Sequence, residues 1–308
     1  MKRLYGVKLY DKSFCNSRNL DIMQSCGFNT VFLGRGALSR EFTDMLSDRG
    51  FFWNIVEPVF LLQPEDETAL ATLQDGEKAE SDWVRFACPT DAEHFESVRK
   101  RVIDDIDTYS PPGISLDFIR FFQFWETTEP DMDPGALPRS CFCPRCQRQM
   151  KVFKSTGDWR QNVIEQTDRS LCAEARVRKD DIRIGIHCVP WTSKMFDGAI
   201  TDIIGQDFGV LSEVGDYLTP MVYHHMMKLS PSYVREFITE MAQQGCPEIL
   251  PSIQVKEAYR KDEMSASEFE QALILALGGP SKGVVLYKWE DLVADNVRLD
   301  IVRKNLGA

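Results

Sequence analysis

Eight short apolar runs that alternate with longer helical patterns constrain the fold of this chain more than any other feature. Alternation of this kind predicts a parallel β-sheet whose strands are joined by crossover helices. Eight such units close a barrel, so we predict an α/β fold, a single (β/α)8 TIM barrel over residues 1–308. The predicted strands are residues 4–9, 30–33, 51–56, 114–118, 182–186, 217–222, 248–253 and 283–287.

Composition and charge limit what this protein binds. Its 308 residues are 43% hydrophobic, enough to bury one large core. A net charge of -11 repels phosphate backbones and anionic lipids, so we expect neither a nucleic acid nor a membrane as partner. No segment approaches the ~18 consecutive apolar residues that span a bilayer, and the N-terminus lacks the apolar run of a signal peptide. The cysteines are odd in number and mostly scattered, which suits a reducing compartment better than a framework of disulfides. The sequence therefore predicts a cytoplasmic protein.

Two helix starts carry capping signals. Thr90 with Glu93 predicts a capping box ahead of the helix that leads to the fourth strand, and we expect His94 on the exposed side of that helix. Ser265 with Glu268 repeats the pattern ahead of the helix before the eighth strand.

Two connections are too long to be simple turns. They are residues 60–86, which are acidic and polar, and an insertion at about residues 120–158, which contains aromatic residues, prolines and cysteines. Both follow strands, and loops that follow strands form the catalytic face of a barrel. We therefore expect these long loops after strands 3 and 4 to shape a substrate cleft.

The segment GISLDFIRFFQFWE carries the most specific chemical signal. Its buried strand ends at Asp117, and we expect Arg120 to pair with this carboxylate and hold it ionised. A glycosidase needs one ionised carboxylate and a second, protonated carboxyl in an apolar setting. Glu126 beside two aromatic residues has such a setting, and Glu290 and Glu57 compete with it for the role of proton donor. The alternative is that Asp117 and Arg120 form only a structural ion pair.

Polar and aromatic side chains at the other strand ends predict a sugar-binding mouth. Lys8 also belongs to this mouth. We expect the rings of Trp125, Trp191 and Trp289 to stack on the apolar faces of a sugar. The residues predicted to bind a small carbohydrate substrate are Tyr10, Arg35, Glu57, Arg120, His187, Tyr223, His224, Gln254, Lys288 and Trp289.

Several segments together resemble a group of bacterial glycoside hydrolases with TIM barrels, distantly related to the α-amylase and α-galactosidase type of barrel. They are GISLDFIRF, ACPTD at 87–91, CFCPRC at 141–146, GQDFG at 205–209 and DYLTPMVYHH at 216–225, and the resemblance covers about residues 80–225. It implies a sugar substrate and a catalytic aspartate at the end of the fourth strand, which matches Asp117. Better-known relatives place an acidic residue at the end of the fifth or sixth strand, where this chain has His187 and Tyr223-His224.

The leading hypothesis is therefore a glycoside hydrolase that uses Asp117 with Glu126 or Glu290. A retaining enzyme would hold its two carboxyls ~5 to 5.5 Å apart and an inverting one ~6.5 to 9.5 Å. The alternative is a non-hydrolytic carbohydrate-binding barrel, or a sugar isomerase or lyase with His187 as base. A single carboxylate in the mouth would favour that alternative.

A cluster of thiols forms the second distinctive motif. Cys141, Cys143 and Cys146 lie within six residues and predict a structural zinc site, with Cys88 or Cys172 as fourth ligand. Reduced cysteines packed in a loop are the alternative. A third reading is an interaction protein organised by this zinc site. Glycine-rich nucleotide motifs are missing from the sequence, so we expect no cofactor for catalysis.

Overall fold

The computed structural model describes residues 3–63, 66 and 70–307 of the chain. One sheet contains eight parallel strands in the neighbour order β6-β5-β4-β3-β2-β1-β8-β7. A bridge between Leu218 and Ile249 brings β6 beside the segment that enters β7, which closes the sheet. The predicted (β/α)8 barrel is thus confirmed. The strands are β1 Leu4–Leu9, β2 Thr30–Leu33, β3 Phe52–Pro58, β4 Gly113–Asp117, β5 Arg183–Cys188, β6 Tyr217–Pro220, β7 Ser252–Gln254 and β8 Gly283–Tyr287.

Helices cover the outside of the barrel. They are α1 Ser17–Ser25, α2 Arg40–Asp48, α3 Ala92–Tyr109, α4 Pro144–Met150, α5 Thr156–Arg178, α6 Ala199–Asp202, α7 Phe208–Val214, α8 Ser232–Gln243, α9 Ala266–Leu277, α10 Trp289–Val293 and α11 Asn296–Leu306. A short antiparallel hairpin, Glu80–Ser81 with Val84–Arg85, lies in the long loop after β3. Among the described residues, no helix combines the length and the apolar character needed to cross a membrane.

The predicted strand ends are wrong mainly at β7. Residues 248–253 were expected to be extended, but the strand begins at Ser252, and Ile249 forms only isolated bridges. Pro247 and Pro251 lack a backbone N–H and interrupt the hydrogen-bond ladder there. At β4 the strand ends one residue before Phe118, whose φ of 52° turns the chain.

One of the two predicted N-caps is confirmed, but the Glu268 side chain that should complete the capping box contacts His224 and His225 instead. Ser265 caps α9 and accepts a hydrogen bond from the Glu268 backbone N–H. Asp91, not Thr90, caps α3, because the Thr90 hydroxyl lies 3.2 Å from the sulfur of Cys146 and is used there.

The expected surface position of His94 is also wrong. His94 is buried against the barrel, and its Nε2 lies 2.7 Å from the carbonyl oxygen of Val59. Because the carbonyl accepts, His94 supplies the proton of this bond.

Side chains close the amino-terminal end of the barrel interior. The ring of Tyr217 crosses the interior, and its hydroxyl donates a hydrogen bond of 2.8 Å to Asn54. Gly185 makes room for this ring, because a Cβ there would lie 2.4 Å from it. Phe32 and Val285 pack in the same buried cluster as Tyr217. The polar inward residues lie above this plug, towards the carboxyl ends of the strands.

A buried carboxyl without a partner lies on α5. Asp168 is 0% exposed, and among the described residues neither of its carboxyl oxygens has a hydrogen-bond partner. Burial raises the pKa of Asp168 well above its ordinary value, so the folded state keeps this proton to a higher pH than the unfolded chain does.

The raised pKa of Asp168 makes the free energy of unfolding depend on pH, which can be tested. The unfolded chain releases the Asp168 proton above about pH 4 while the folded chain keeps it, so the free energy of unfolding falls as pH rises towards the folded-state pKa. The group contributes a slope of up to ~1.4 kcal/mol per pH unit. Asp168→Asn should remove this slope in urea unfolding measured from pH 4 upwards. The control is Asp180→Asn at an exposed position, and identical slopes in both variants would contradict the prediction.

Candidate active site

A cavity of about 660 Å³ opens at the carboxyl ends of the barrel strands. Its volume lies in the range of small-molecule sites. The predicted residues that line it are Lys8, Tyr10, Arg35, Asp117, Glu126, Tyr223 and Lys288. The two carboxyls that the glycosidase hypothesis requires therefore share one opening.

Asp117 ends β4 inside the cavity. The backbone N–H of Phe118 donates a hydrogen bond of 2.7 Å to its Oδ1, and its Oδ2 lies 3.7 Å from Nδ1 of His187. Burial would raise the pKa of Asp117, but the charges of Lys8, of Arg120 and of His187 in its protonated form, together with the Phe118 N–H, outweigh burial and lower it. The carboxylate is therefore ionised at neutral pH.

Lys8 supplies the positive charge that faces this carboxylate. Its Nζ lies 3.1 Å from Nδ1 of His187 and 3.4 Å from the hydroxyl of Tyr223. Burial lowers the pKa of Lys8 to about 8, with the charge of Asp117 opposing, and burial lowers the pKa of His187 to about 3. At pH 7 His187 is thus neutral and the cation beside Asp117 is Lys8. Since the ammonium donates to Nδ1, we assign the His187 proton to Nε2.

The expected contact between Arg120 and Asp117 is not present among the ion pairs of the described residues. Arg120 is buried and donates from NH1 to the carbonyl oxygens of Phe121, at 3.4 Å, and Gln123, at 2.5 Å. Its guanidinium lies 4.9 Å from the ring centroid of Phe86. Arg120 therefore supports the loop after β4 and is not part of the cavity lining.

Glu126 lies in a single helical turn, Trp125–Thr127, of the loop after β4. It lines the cavity, and its Oε2 has no hydrogen-bond partner in the described part of the chain. Burial raises the pKa of Glu126 to about 7, although the charge of Arg120 opposes this. The group therefore carries a proton in about half of the molecules at neutral pH. The sequence predicted this environment from the neighbouring aromatic residues.

The two other candidate acids have structural contacts. Oε1 of Glu290 accepts the backbone N–H groups of Tyr10 and Asp11, both at 2.7 Å, and so fixes the chain after β1. Glu57 is buried between Arg35, at 2.8 Å, and Arg101, at 2.7 Å. Glu290 and Glu57 do not belong to the cavity lining.

Three predicted sugar-binding residues also face away from the cavity. Oε1 of Gln254 accepts the backbone N–H of Met226 at 3.0 Å. Nε2 of His224 lies 3.1 Å from Oε1 of Glu268 on α9. Trp289 is 0% exposed and donates from Nε1 to Asn19 at 3.0 Å. Each holds the barrel or its loops in place.

The aromatic residues of the mouth differ from the predicted ones. Trp125, Trp191 and Trp289 are all buried, whereas Trp83 in the hairpin after β3 is exposed and lines the cavity. Its position within an otherwise acidic and polar insertion is the signal that could have identified it. Sequence reasoning also missed the lining residues Arg101, Phe118, Met221, Met226, Tyr259 and Tyr287.

Four cysteines meet beside the long loops. The sulfurs of Cys88, Cys141, Cys143 and Cys146 lie within 4.8 Å of one another, and Cys88 lies 3.5 Å from Cys146 and 3.9 Å from Cys143. Tetrahedral zinc with bonds of ~2.3 Å places its sulfur ligands about 3.8 Å apart. Cys172, the other candidate for the fourth ligand, is buried on α5 and is not part of the group.

Positive charge surrounds these sulfurs. Arg145 follows Cys143 by two residues and pairs with Asp91 at 2.8 Å, and its guanidinium interacts with the charge of Cys88. Arg160 is buried, donates from Nε to the carbonyl oxygen of Ser140, and interacts with Cys141 and Cys146. Two arginines balance the double negative charge of a zinc ion with four thiolates, so the donor set fits zinc.

Comparisons with known proteins identify structures of similar fold. No protein-family model matches the sequence, and neither does any curated protein. The glycoside hydrolase domain of PgaB (BpsB) from Bordetella bronchiseptica superposes with a TM-score of 0.72 at 12% identity, over 98% of this chain and 98% of that chain.

Further similar structures come from the same class. The beta-galactosidase from Bacillus circulans sp. alkalophilus superposes with a TM-score of 0.70 at 9% identity, over 99% of this chain and 55% of that chain. The glycoside hydrolase domain of a PelA variant from Pseudomonas aeruginosa gives a TM-score of 0.53 at 11% identity, over 93% and 96%. At these identities the likeness shows the fold, and the chain has the TIM barrel that these glycoside hydrolases share.

Proposed function

We propose that this protein is a glycoside hydrolase acting on a small glycoside or oligosaccharide through Asp117 and Glu126. One observation carries the proposal: two carboxyls with opposite shifts of pKa line the same cavity at the carboxyl ends of the strands. Environments that separate the pKa values of a carboxyl pair identify the ionised and the protonated partner of a glycosidase. The fold that the chain shares with glycoside hydrolases supports the same conclusion.

In the proposed reaction Glu126 donates its proton to the glycosidic oxygen as the bond from that oxygen to the anomeric carbon breaks. Asp117 either attacks the anomeric carbon or stabilises the oxocarbenium-like centre. Water then bonds to the anomeric carbon as the new hydroxyl and gives its other proton to Glu126, which restores the acid. The charge of Lys8 helps to keep Asp117 ionised. Tyr10, Arg35, Tyr223 and Lys288 supply polar groups for the sugar hydroxyls, and no cofactor takes part in the reaction.

The isomerase or lyase alternative has less support. Its proposed base, His187, already receives the Lys8 ammonium at Nδ1, and burial lowers its pKa to about 3. A base with so low a pKa removes protons poorly at neutral pH. A carbohydrate-binding barrel without hydrolysis needs only one carboxylate, and a second carboxyl in the cavity argues against it.

We also propose that the four-cysteine cluster binds a structural zinc ion. Cys88 belongs to the loop after β3 and the other three cysteines to the loop after β4, so the metal would join the two loops. The second loop carries Glu126, and the zinc would therefore help to fix the position of the proton donor. This role makes the cluster part of the enzyme and not a separate interaction module.

Replacing Asp117 by Asn should abolish the turnover of aryl glycosides. The variant keeps a side-chain oxygen for the Phe118 N–H, and without the Asp117 charge the pKa of Lys8 falls further, so the buried amine is more easily neutralised. We therefore expect only a small fall in Tm. Turnover of a panel of nitrophenyl glycosides and thermal unfolding test this. A large loss of stability would instead indicate that Asp117 is a structural ion-pair residue.

Replacing Glu126 by Gln should remove general acid catalysis. In the wild type, kcat/KM should fall above about pH 7 as Glu126 loses its proton, and the variant should lack this limb of the pH profile. We expect losses of ~10²- to 10⁴-fold for substrates with poor leaving groups and smaller losses for nitrophenyl glycosides, whose leaving group needs little protonation.

The matched control for Glu126 is Glu290→Gln, at the competing candidate for proton donor. Since Glu290 lies outside the cavity lining, this variant should keep the basic limb of the pH profile. Loss of the limb in Glu290→Gln and its retention in Glu126→Gln would assign the proton donor to Glu290.

Elemental analysis of the purified protein should find about one zinc per chain. Cys146→Ser should lose the metal and lower Tm, because the two long loops are then no longer joined. Cys172→Ser alters a buried cysteine outside the cluster and should retain the zinc. Metal-free protein with unchanged Tm after chelation would refute the zinc proposal.

A further inference from the structure

Two aromatic rings at the mouth of the cavity are exposed to solvent. Among the residues that the structure describes, Trp83 and Tyr259 are the aromatic side chains with the largest exposure, at 43% and 44%. Both belong to the lining of the cavity that holds Asp117 and Glu126. Large apolar side chains that are exposed next to each other beside a cavity indicate a binding surface, whereas single exposed apolar residues do not.

The two rings come from separate loops and have similar orientations. Trp83 lies at the turn of the hairpin after β3, and Tyr259 lies in the loop after β7. Their centroids are 6.5 Å apart and their planes are 21° from parallel. Arg260 fixes the second loop, because it donates from Nε to the carbonyl oxygen of Met226 and from NH1 to Glu129, both at 2.8 Å.

Other aromatic rings support the pair from below. Trp83 contacts Phe118 edge to face, with centroids 6.1 Å apart, and Phe124 at 6.0 Å. Tyr259 contacts Phe124 in the same manner at 5.5 Å. Both exposed rings are therefore held in position before any ligand binds, which lowers the entropic cost of binding.

We propose that Trp83 and Tyr259 form a platform for a sugar ring next to the one that is cleaved, so that the substrate is an oligosaccharide or a polysaccharide. The C–H face of a pyranose packs on aromatic rings, and few other soluble ligands combine such a face with many hydroxyls. Phe118, which supports Trp83, directly follows Asp117, so the platform lies one side chain from the catalytic aspartate. This inference rests on the proposed function and specifies its substrate class.

The test measures binding separately from hydrolysis. Isothermal titration calorimetry of Asp117→Asn uses linear oligosaccharides of glucose, galactose and N-acetylglucosamine, from monosaccharide to hexasaccharide. Affinity should rise with chain length, and the added substitution Trp83→Ala should lower affinity for the longer chains about tenfold more than for the monosaccharide. Trp83→Phe keeps a ring and should restore part of the loss. Val177→Ala, at an exposed position on α5, is the control and should change nothing.

The outcomes separate this inference from the proposed function. An equal loss for short and long chains in Trp83→Ala, or no loss, overturns the platform, even if the wild type hydrolyses glycosides. Length-dependent binding that needs Trp83, in a wild type that cleaves none of the bound chains, supports the platform and overturns the hydrolase. If no sugar of the panel binds, the platform is overturned, while turnover of the nitrophenyl glycosides decides the hydrolase separately.

Discussion

The opposed charges of Lys8 and Asp117 are the constraint on which the candidate site depends. The two side chains end β1 and β4, three strands apart around the barrel, and are 1% and 5% exposed. Neither charge is stable alone in such a setting, since burial favours the neutral form of each. The proton on Lys8 and the charge on Asp117 therefore exist together. Burial outweighs the charge of Arg120 at Glu126 and raises the pKa of that carboxyl to about 7, and this difference underlies the separate roles proposed for the two carboxyls.

Much of the fold could be predicted because parallel strands that are buried on both faces form continuous apolar runs. The bounds of β1, β2 and β8 agree with the sequence prediction. The prediction failed at β7, where two prolines interrupt an apolar segment, and at the start of α3, where two adjacent residues can both cap a helix. A local sequence pattern does not show which of two adjacent residues caps a helix when both have a similar capping propensity. Contacts with residues distant in sequence determine which one does. Thr90 faces a cysteine more than fifty residues away, and this contact leaves the cap to Asp91.

The two carboxyls of the candidate site could be predicted from the sequence, but their contacts with residues distant in sequence could not. Asp117 and Glu126 follow a recognisable strand, and their immediate neighbours indicate how burial affects them. The expected ion pair between Arg120 and Asp117 is absent from the described residues, although the charge of Arg120 still lowers the pKa of Asp117. The larger effect of Lys8 could not be predicted, because Lys8 is distant in sequence. The tryptophans were predicted wrongly for a related reason: large rings next to strands usually fill the core. The exposed ring belongs to the polar loop that no periodic pattern describes.

The side chains around Tyr217 close the amino-terminal end of the barrel interior and so determine where a ligand can enter and leave. Because this ring and its neighbours fill the interior at that end, the described part of the barrel is open at the carboxyl ends of its strands and closed at the other end. Under the proposed function, a glycan would not pass through the barrel, and both products would leave through the opening by which the substrate entered. A product that dissociates slowly would block binding of the next substrate molecule, and product release would then limit the rate of turnover.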